Sequence, residues 1–261
     1  MHPVFMEIHS GLPREAPGSF ETTKRAFDLI EDKLQKNSRF LDIGCGPGMQ
    51  TMDLANLISS KDGSVCAVDI HQPYLDRLSE TCQKSGLSDR VSVKCADMCD
   101  LSSLSALEGS GGEKFNVIRS EGAIYIIGFD HGLDQWKRLL KPGGFLAVTE
   151  LTWLKSNPPE PIETFWKDGY PAMRTIDQNL EALTKAGYNI IDSFALPESA
   201  WWENYYNPME KRISELAQKY KNTNNNSEAL QVLTMERQEI DLYRRYSEYY
   251  GYVFYIAQLP N

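Results

Sequence analysis

The stretch Leu41-Asp42-Ile43-Gly44-Cys45-Gly46-Pro47-Gly48 holds the densest chemical information in the chain. Three glycines at alternating positions let a backbone turn sharply and let a ligand lie close against the main chain. The spacing is G-x-G-x-G, not the G-x-G-x-x-G of dinucleotide-binding loops. Asp42, two residues before the first glycine, would repel a pyrophosphate. It would accept hydrogen bonds from an amine or from loop N–H groups, so the loop favours a cationic, amino-acid-like ligand over a phosphate. A second carboxylate, Asp69, ends the next apolar run, Val65-Cys66-Ala67-Val68.

These residues need a scaffold that brings strand ends together. Short β-rich runs alternate with helical patterns, the signature of a parallel-sheet α/β fold. Strands are predicted at 39–43, 65–69, 91–96, 115–119, 145–149, 188–194 and 252–257. Helices are predicted at 20–36, with Gly18-Ser19 as the cap, at 49–60, and from Pro73 to Gly86. Another runs over 176–186, with Thr175 and Gln178 as a capping box and Gly187 at its end. Residues 102–112 read as loop plus a short helix, and Lys141-Pro142-Gly143-Gly144 reads as a turn. Leu151 to Arg174 is a long connection. Trp201 to Tyr250 adds about two helices around the turn 222–226, with Glu215–Lys219 and Asp241–Arg245 as i,i+4 pairs.

With its context, the glycine loop resembles that of the class I S-adenosylmethionine-dependent methyltransferases, of the type acting on small molecules. The resemblance rests on Leu41 to Gly48, then Ala67-Val68-Asp69-Ile70, then Ala96-Asp97-Met98, then Leu140-Lys141-Pro142-Gly143-Gly144. It covers roughly residues 20–150 well and continues more loosely to the final strand. It implies a Rossmann-like, seven-stranded, mostly parallel sheet with helices on both faces and an antiparallel last strand. The expected organisation is one domain over 1–261, a lid segment at 1–19, and a helical insertion at 198–250 before the last strand. It implies S-adenosyl-L-methionine as cofactor and methyl transfer by in-line displacement. Gly44, Gly46 and Gly48, with Cys45 between them, would floor the methionine part and ribose. Asp42 would orient the loop or the methionine amine, and Asp69 would take the ribose hydroxyls. Ile70 and Met98 would flank the adenine, and Asp97 would accept from its amino group. Ser120 and Glu121 would lie beside the sulfonium and the acceptor.

A general base is needed only where the acceptor is protonated at neutral pH. Glu121 and Tyr125, past the fourth strand, are the catalytic candidates, Glu121 as base or orienting group and Tyr125 as a ring facing the acceptor. His131 reads better as a helix cap, and His71 as the edge of the adenine pocket or a surface residue. Arg14 belongs to a Pro-Gly-Ser entry that would cross the strand ends, where it could pair with the cofactor carboxylate or an acidic substrate. Trp153, Trp201, Trp202 and Tyr205 would wall the acceptor, because aromatic clusters fill pockets for flat or apolar ligands.

Composition narrows the partners. The 261 residues carry 27 Lys plus Arg against 36 Asp plus Glu, a formal charge of −9. That balance argues against nucleic acid, whose binders usually carry a basic stripe. Arg119-Ser120-Glu121-Gly122 stands where base-amine methyltransferases carry Asp/Asn-Pro-Pro-Tyr/Phe, and the chain has no Pro-Cys pair. The longest apolar stretch, Gly122 to Phe129, is too short to span a bilayer. The N-terminus lacks a basic region followed by an apolar run, so a cytoplasmic protein is expected. The five cysteines show neither a disulfide framework nor a metal spacing, so no metal is expected. The partner is then a small-molecule acceptor, with a homodimer left open. Competing readings are a protein that binds S-adenosylmethionine without methyl transfer, a protein methyltransferase, and aminopropyl transfer.

Overall fold

The computed structural model describes residues 3–101, 114–221 and 226–261. The chain opens with α1 (Pro3–His9) and α2 (Phe20–Asp28), then β1 (Arg39–Ile43), α3 (Met49–Leu57), β2 (Ser64–Asp69), α4 (Gln72–Lys84) and β3 (Val91–Cys95). It continues through β4 (Phe115–Ser120), α5 (Phe129–Lys137), β5 (Leu140–Trp153), α6 (Glu160–Gly169), β6 (Arg174–Thr175), α7 (Ile176–Lys185) and β7 (Asn189–Ala195). A short α8 (Glu198–Trp201) runs through a π-helical turn (Trp202–Tyr206) into α9 (Asn207–Lys221), and α10 (Ser227–Tyr246) leads to β8 (Tyr250–Gln258).

The sheet order is β3-β2-β1-β4-β5-β8-β7, with β6 paired to the far end of β5. β1 pairs in parallel with both β2 and β4, and β8 runs antiparallel to β5 and β7. The chain winds outward from β1 to β3 and then returns to the other side of β1 as β4. That reversal opens a crevice beyond the carboxyl ends of β1 and β4, where open α/β sheets bind ligands. Helices cover both faces. Phe27, Leu54 and Leu78 of α2, α3 and α4 are buried on one side, and Leu133, Trp136 and Leu183 of α5 and α7 on the other. Each such side chain contributes roughly 1.5–3 kcal/mol on burial.

Several elements depart from the sequence expectation. The first long helix stops at Asp28 and leaves a 3-10 turn at Glu31–Lys33. Ser19 caps its start, in a reciprocal box with Thr22. The turn expected at Lys141 to Gly144 lies inside β5, where a register shift between Phe115 and Val117 absorbs the extra residues. β5 then runs on past Thr149, because Leu151, Thr152 and Trp153 pair with Tyr252, Gly251 and Tyr250 of β8. The long connection also forms α6 and the two-residue β6, an eighth strand. Residues 102–112 and most of the turn at 222–226 lie outside the described residues.

The expected i,i+4 pairs also rearrange. Lys219 Nζ donates to Glu7 at 2.6 Å, Tyr220 Oη donates to the same carboxylate at 2.6 Å, and Arg212 Nε donates to the Glu7 carbonyl at 2.9 Å. Asp241 accepts from Arg244 Nη1 rather than pairing with the Arg245 guanidinium at that carboxylate. The first of these changes matters for the site, because it ties α1 to α9.

Candidate functional site

A cavity of about 590 Å³ opens at the β1–β4 crevice. Its floor is the glycine loop. Gly44, Gly46 and Gly48 all have positive φ, at 70°, 52° and 88°. At Gly44 a Cβ would also lie 2.5 Å from Ala123 Cβ, so a side chain is excluded by both conformation and space. Gly44 N–H and Cys45 N–H donate to the Val68 carbonyl at 2.9 and 3.0 Å, which stitches the loop to β2. Asp69, one residue on, accepts Gly46 N–H on Oδ2 and His71 N–H on Oδ1, each at 2.8 Å. Its carboxylate is thereby fixed at the cavity edge, with acceptor capacity left over.

Gly44, Cys45, Gly46, Asp69, Ile70, Asp97 and Met98 all line this cavity. Ile70 is 68% exposed, an apolar side chain held at the mouth. Asp97 accepts Cys99 N–H at 2.9 Å, and Trp136 Nε1 donates to the Met98 carbonyl at 3.2 Å, which fixes this edge. Gly48 lies behind the cavity wall against Leu78. Asp42 is fully buried and does not line the cavity; its Oδ2 accepts from Thr51 Oγ1 at 2.6 Å, which ties β1 to α3 and orients the loop between them. Burial pushes the Asp42 carboxyl up, against the pull of Arg119. Ser120 is also fully buried and off the cavity.

Glu121 lines the cavity, but its carboxylate is engaged. Arg14 and Arg119 both pair with it, and Thr23 Oγ1 donates to Oε1 at 3.2 Å. Its side chain has no solvent exposure. Burial pulls both guanidiniums down to about 10, still far enough above neutrality to keep them charged. A carboxylate held by two cations is a poor proton acceptor. The expectation of Glu121 as a general base is therefore corrected: its geometry is that of an anchor. The anchor holds the N-terminal segment over the strand ends. Gly18 makes room for it, since a Cβ there would run into the Arg14 guanidinium and come within 2.9 Å of Glu121 Oε2. Arg14 Nη1 has no hydrogen-bond partner among the described residues.

The aromatic expectations divide. Tyr125 and Tyr205 line the cavity. Trp153, Trp201 and Trp202 do not. Trp201 is 2% exposed and stacks on Tyr243 with ring centroids 4.0 Å apart. Trp202 lies under the Arg244 guanidinium, and Trp153 packs edge-on to Tyr250. The helices before β8 need a core of their own, and these indoles supply it. Sequence reasoning missed Phe5, His9, Glu15, Gln50 and Tyr74, which line the cavity. The lid segment was the signal for the first three, although Arg14 alone was drawn from it. Gln50 follows the glycine loop and donates to the Cys45 carbonyl at 2.8 Å. His131 is exposed in the first turn of α5.

A second, more open depression of about 380 Å³ between α5 and α7 holds the Arg174–Asp130 pair and no glycine loop. Among the described residues, no group of three or more His, Cys, Asp or Glu side chains is placed to hold a metal ion. No described helix is long and apolar enough to cross a membrane.

Comparison with known proteins agrees with this geometry. Residues 40–144 match the family model described as a methyltransferase domain. Over those residues the chain is similar to methyltransferase domains. A solved methyltransferase from Geobacter sulfurreducens, in complex with S-adenosyl-L-homocysteine, superposes with a TM-score of 0.77 at 19% identity, covering 100% of this chain and 99% of that one. An uncharacterized protein of Synechococcus is 32% identical over 111 residues, 42% of this chain. A protein of Methanothermobacter thermautotrophicus, named as a probable cobalt-precorrin-6B C(15)-methyltransferase (decarboxylating), is 28% identical over 141 residues, 52% of this chain. The chain spans 24% and 64% of the lengths of those two curated relatives. The cavity has residues that fit S-adenosylmethionine, the cofactor the resemblance implies. The loop leaves its main chain open, Asp69 is fixed at the edge, and the unpartnered Arg14 Nη1 suits a carboxylate.

Proposed function

We propose that the protein transfers the methyl group of S-adenosyl-L-methionine to a small-molecule acceptor. The observation that carries this reading is the cavity itself, with the positive-φ glycine loop and Asp69 at one end and Tyr125 and Tyr205 at the other. When bound, S-adenosylmethionine supplies an electrophilic methyl group on a positively charged sulfur. The chain's own task is to hold, orient and exclude water, and orientation of this kind lowers a barrier by roughly 7–11 kcal/mol.

Asp69 holds the ribose hydroxyls, and Ile70 and Met98 hold the adenine, with Asp97 accepting from its amino group. Arg14 pairs with the methionine carboxylate through Nη1. Residues 3–19 act as the lid: α1 is tied to α9 through Glu7, and Arg14 is tied to β4 through Glu121. Tyr125 and Tyr205 face the acceptor. A small acceptor suits a cavity of about 590 Å³, a typical size for a small-molecule site. The five cysteines without a disulfide pattern agree with a cytoplasmic setting. The test is calorimetry with S-adenosylhomocysteine, followed by transfer of labelled methyl from S-adenosylmethionine into pools of small molecules. Label retained in protein instead would point to a protein acceptor.

A further inference from the structure

Two groups from the lid segment link the halves of the cavity. His9, in α1, and Glu15 both line it, and His9 is 4% exposed. His9 Nδ1 lies 2.7 Å from Glu15 Oε2. The stem of Glu15 packs on the glycine loop: a Cβ built at Gly46 would lie 3.3 Å from Glu15 Cγ. The His9 ring stacks on Phe5, with centroids 4.2 Å apart, and lies 6.4 Å from the ring of Tyr205. Phe5 and Tyr205 line the cavity as well. The couple thus runs from the floor of the cofactor end to the aromatic wall of the acceptor end, with the imidazole held by a stack and a hydrogen bond.

A carboxylate only accepts, so Nδ1 carries the hydrogen and Nε2 bears the lone pair. Nε2 has no hydrogen-bond partner among the described residues. A buried nitrogen without a partner, in a residue of a cavity wall, points to a ligand group that completes it. The group a lone pair accepts from is an O–H or an N–H. An imidazole held by a carboxylate through its other nitrogen is arranged as a general base, because the carboxylate fixes the tautomer and stabilises the imidazolium that forms. Other acidic and basic side chains of the cavity are committed elsewhere. Glu121 is held by two guanidiniums, Asp69 takes the N–H groups of Gly46 and His71, Asp97 takes Cys99 N–H, and His71 meets Tyr74 edge to face. The acceptor that suits an imidazole base is a phenol. Phenols ionise at about 10, a few units above imidazole at about 6.5, whereas an unactivated hydroxyl such as that of water ionises at about 15.7. The rings of Phe5, Tyr125 and Tyr205 suit the flat body of such an acceptor.

Resting on the methyl-transfer reading above, we propose that the acceptor is a phenol and that His9 is the general base that deprotonates it. His9 Nε2 takes the proton as the phenol oxygen bonds to the methyl carbon. The carbon–sulfur bond breaks, and its electron pair stays on sulfur. Glu15 faces the imidazolium, which returns its proton to water when the methyl ether leaves.

The test uses 4-methylphenol and 4-methylanisole, which share a ring but not the O–H. Each is titrated into the full-length protein with 15N-labelled histidine, with and without S-adenosylhomocysteine. The chain has four histidines, and loss of one signal in His9→Gln assigns His9. The expected spectrum shows the Nδ1–H tautomer, with an Nε2 resonance that the phenol shifts and the anisole does not. Transfer of labelled methyl is then compared for 4-methylphenol and 4-nitrophenol, in buffer alkaline enough to ionise only the second. His9→Gln should lower kcat/KM for 4-methylphenol by roughly 100-fold or more, and for the nitrophenolate by less than about tenfold, since an ionised acceptor needs no base. Glu15→Gln should give the same order with smaller losses, and circular dichroism and Tm verify each fold. Equal losses for the two phenols, transfer to neither, or an Nε2 resonance that 4-methylphenol leaves unmoved overturns the proposal. So does transfer to 4-methylaniline or 4-methylthiophenol in place of 4-methylphenol. If the variants do not fold, the spectrum of the parent protein decides. Failure of S-adenosylhomocysteine to bind overturns the methyl-transfer reading instead, and the two failures are separate.

Discussion

The guanidinium of Arg14 pairs with the carboxylate of Glu121, 107 residues further along the chain, and both side chains are shut away from solvent. The pair joins the N-terminal segment to the end of β4, and Arg119 completes it from the strand. Removing the shared anion leaves two buried guanidiniums facing each other. Breaking a buried pair in this way costs about 3–5 kcal/mol. Glu121→Ala is therefore expected to lower stability by about that amount in urea unfolding. A stability within 1 kcal/mol of the parent, a tolerance set by ordinary surface substitutions, would show that the three groups are not coupled.

Gly18 tests the same junction from the backbone side. Its φ is not in the left-handed region, so an alanine there would have an allowed backbone, and the cost would come from space alone. The Arg14 guanidinium that a methyl would strike is pinned by Glu121, and its Nε donates to the Ala16 carbonyl at 3.2 Å. Gly18→Ala is expected to destabilise by about 1–3 kcal/mol, the usual cost of overpacking. It should also weaken S-adenosylhomocysteine, because the lid can no longer seat. An unchanged Tm with unchanged affinity would place the lid elsewhere.

Trp201 separates core from pocket. Its ring stacks on Tyr243 and lies 5.5 Å from the rings of Tyr206 and Tyr252. Trp201→Ala is expected to cost about 3–5 kcal/mol. A variant that still folds should bind S-adenosylhomocysteine as the parent does. Loss of ligand affinity with no loss of Tm would return Trp201 to the acceptor wall.

Buried carboxyls make stability depend on pH. Desolvation raises Glu150 and Glu236 from 4.5 to about 7. Between those values the folded state holds protons that the unfolded chain has released. Stability contributed by these groups is therefore present below about pH 4.5 and lost as pH rises through 7. The slope is at most about 1.4 kcal/mol per pH unit for each group. In thermal melts from pH 5 to 7.5, Glu150→Gln should show a flatter decline in Tm than the parent. Parallel curves would mean that Glu150 ionises normally.

The glycine loop was legible because its signal is local. Three glycines, the preceding strand and Asp69 at the end of the next strand lie within one βαβ unit. β1 was predicted over 39–43, as observed, and the Thr175–Gln178 cap was also readable, since its hydrogen bonds span three residues. Long-range pairing was not readable. Nothing in the types of Arg14 and Glu121 says that they meet, so Glu121 looked free to act as a base. Lys219 looked paired with Glu215 because that partner is near in sequence, whereas the structure gives it Glu7. The tryptophans were ambiguous for another reason. A pocket wall and a core demand the same large apolar rings, and only the packing of α8 to α10 against β8 distinguishes them. His9 was missed because a lone histidine in a short amphipathic helix carries no pattern.

The central claim is that the β1–β4 crevice is an S-adenosylmethionine site with Asp69 on the ribose. The most direct measurement is calorimetric titration of S-adenosylhomocysteine into the parent protein and into Asp69→Ala, with NAD as the control ligand. A hydrogen bond to a charged group is worth about 1.5–3 kcal/mol. The prediction is that the parent binds S-adenosylhomocysteine and not NAD, and that the variant binds it at least tenfold more weakly while keeping its fold. Binding of NAD with no heat from S-adenosylhomocysteine would contradict the account.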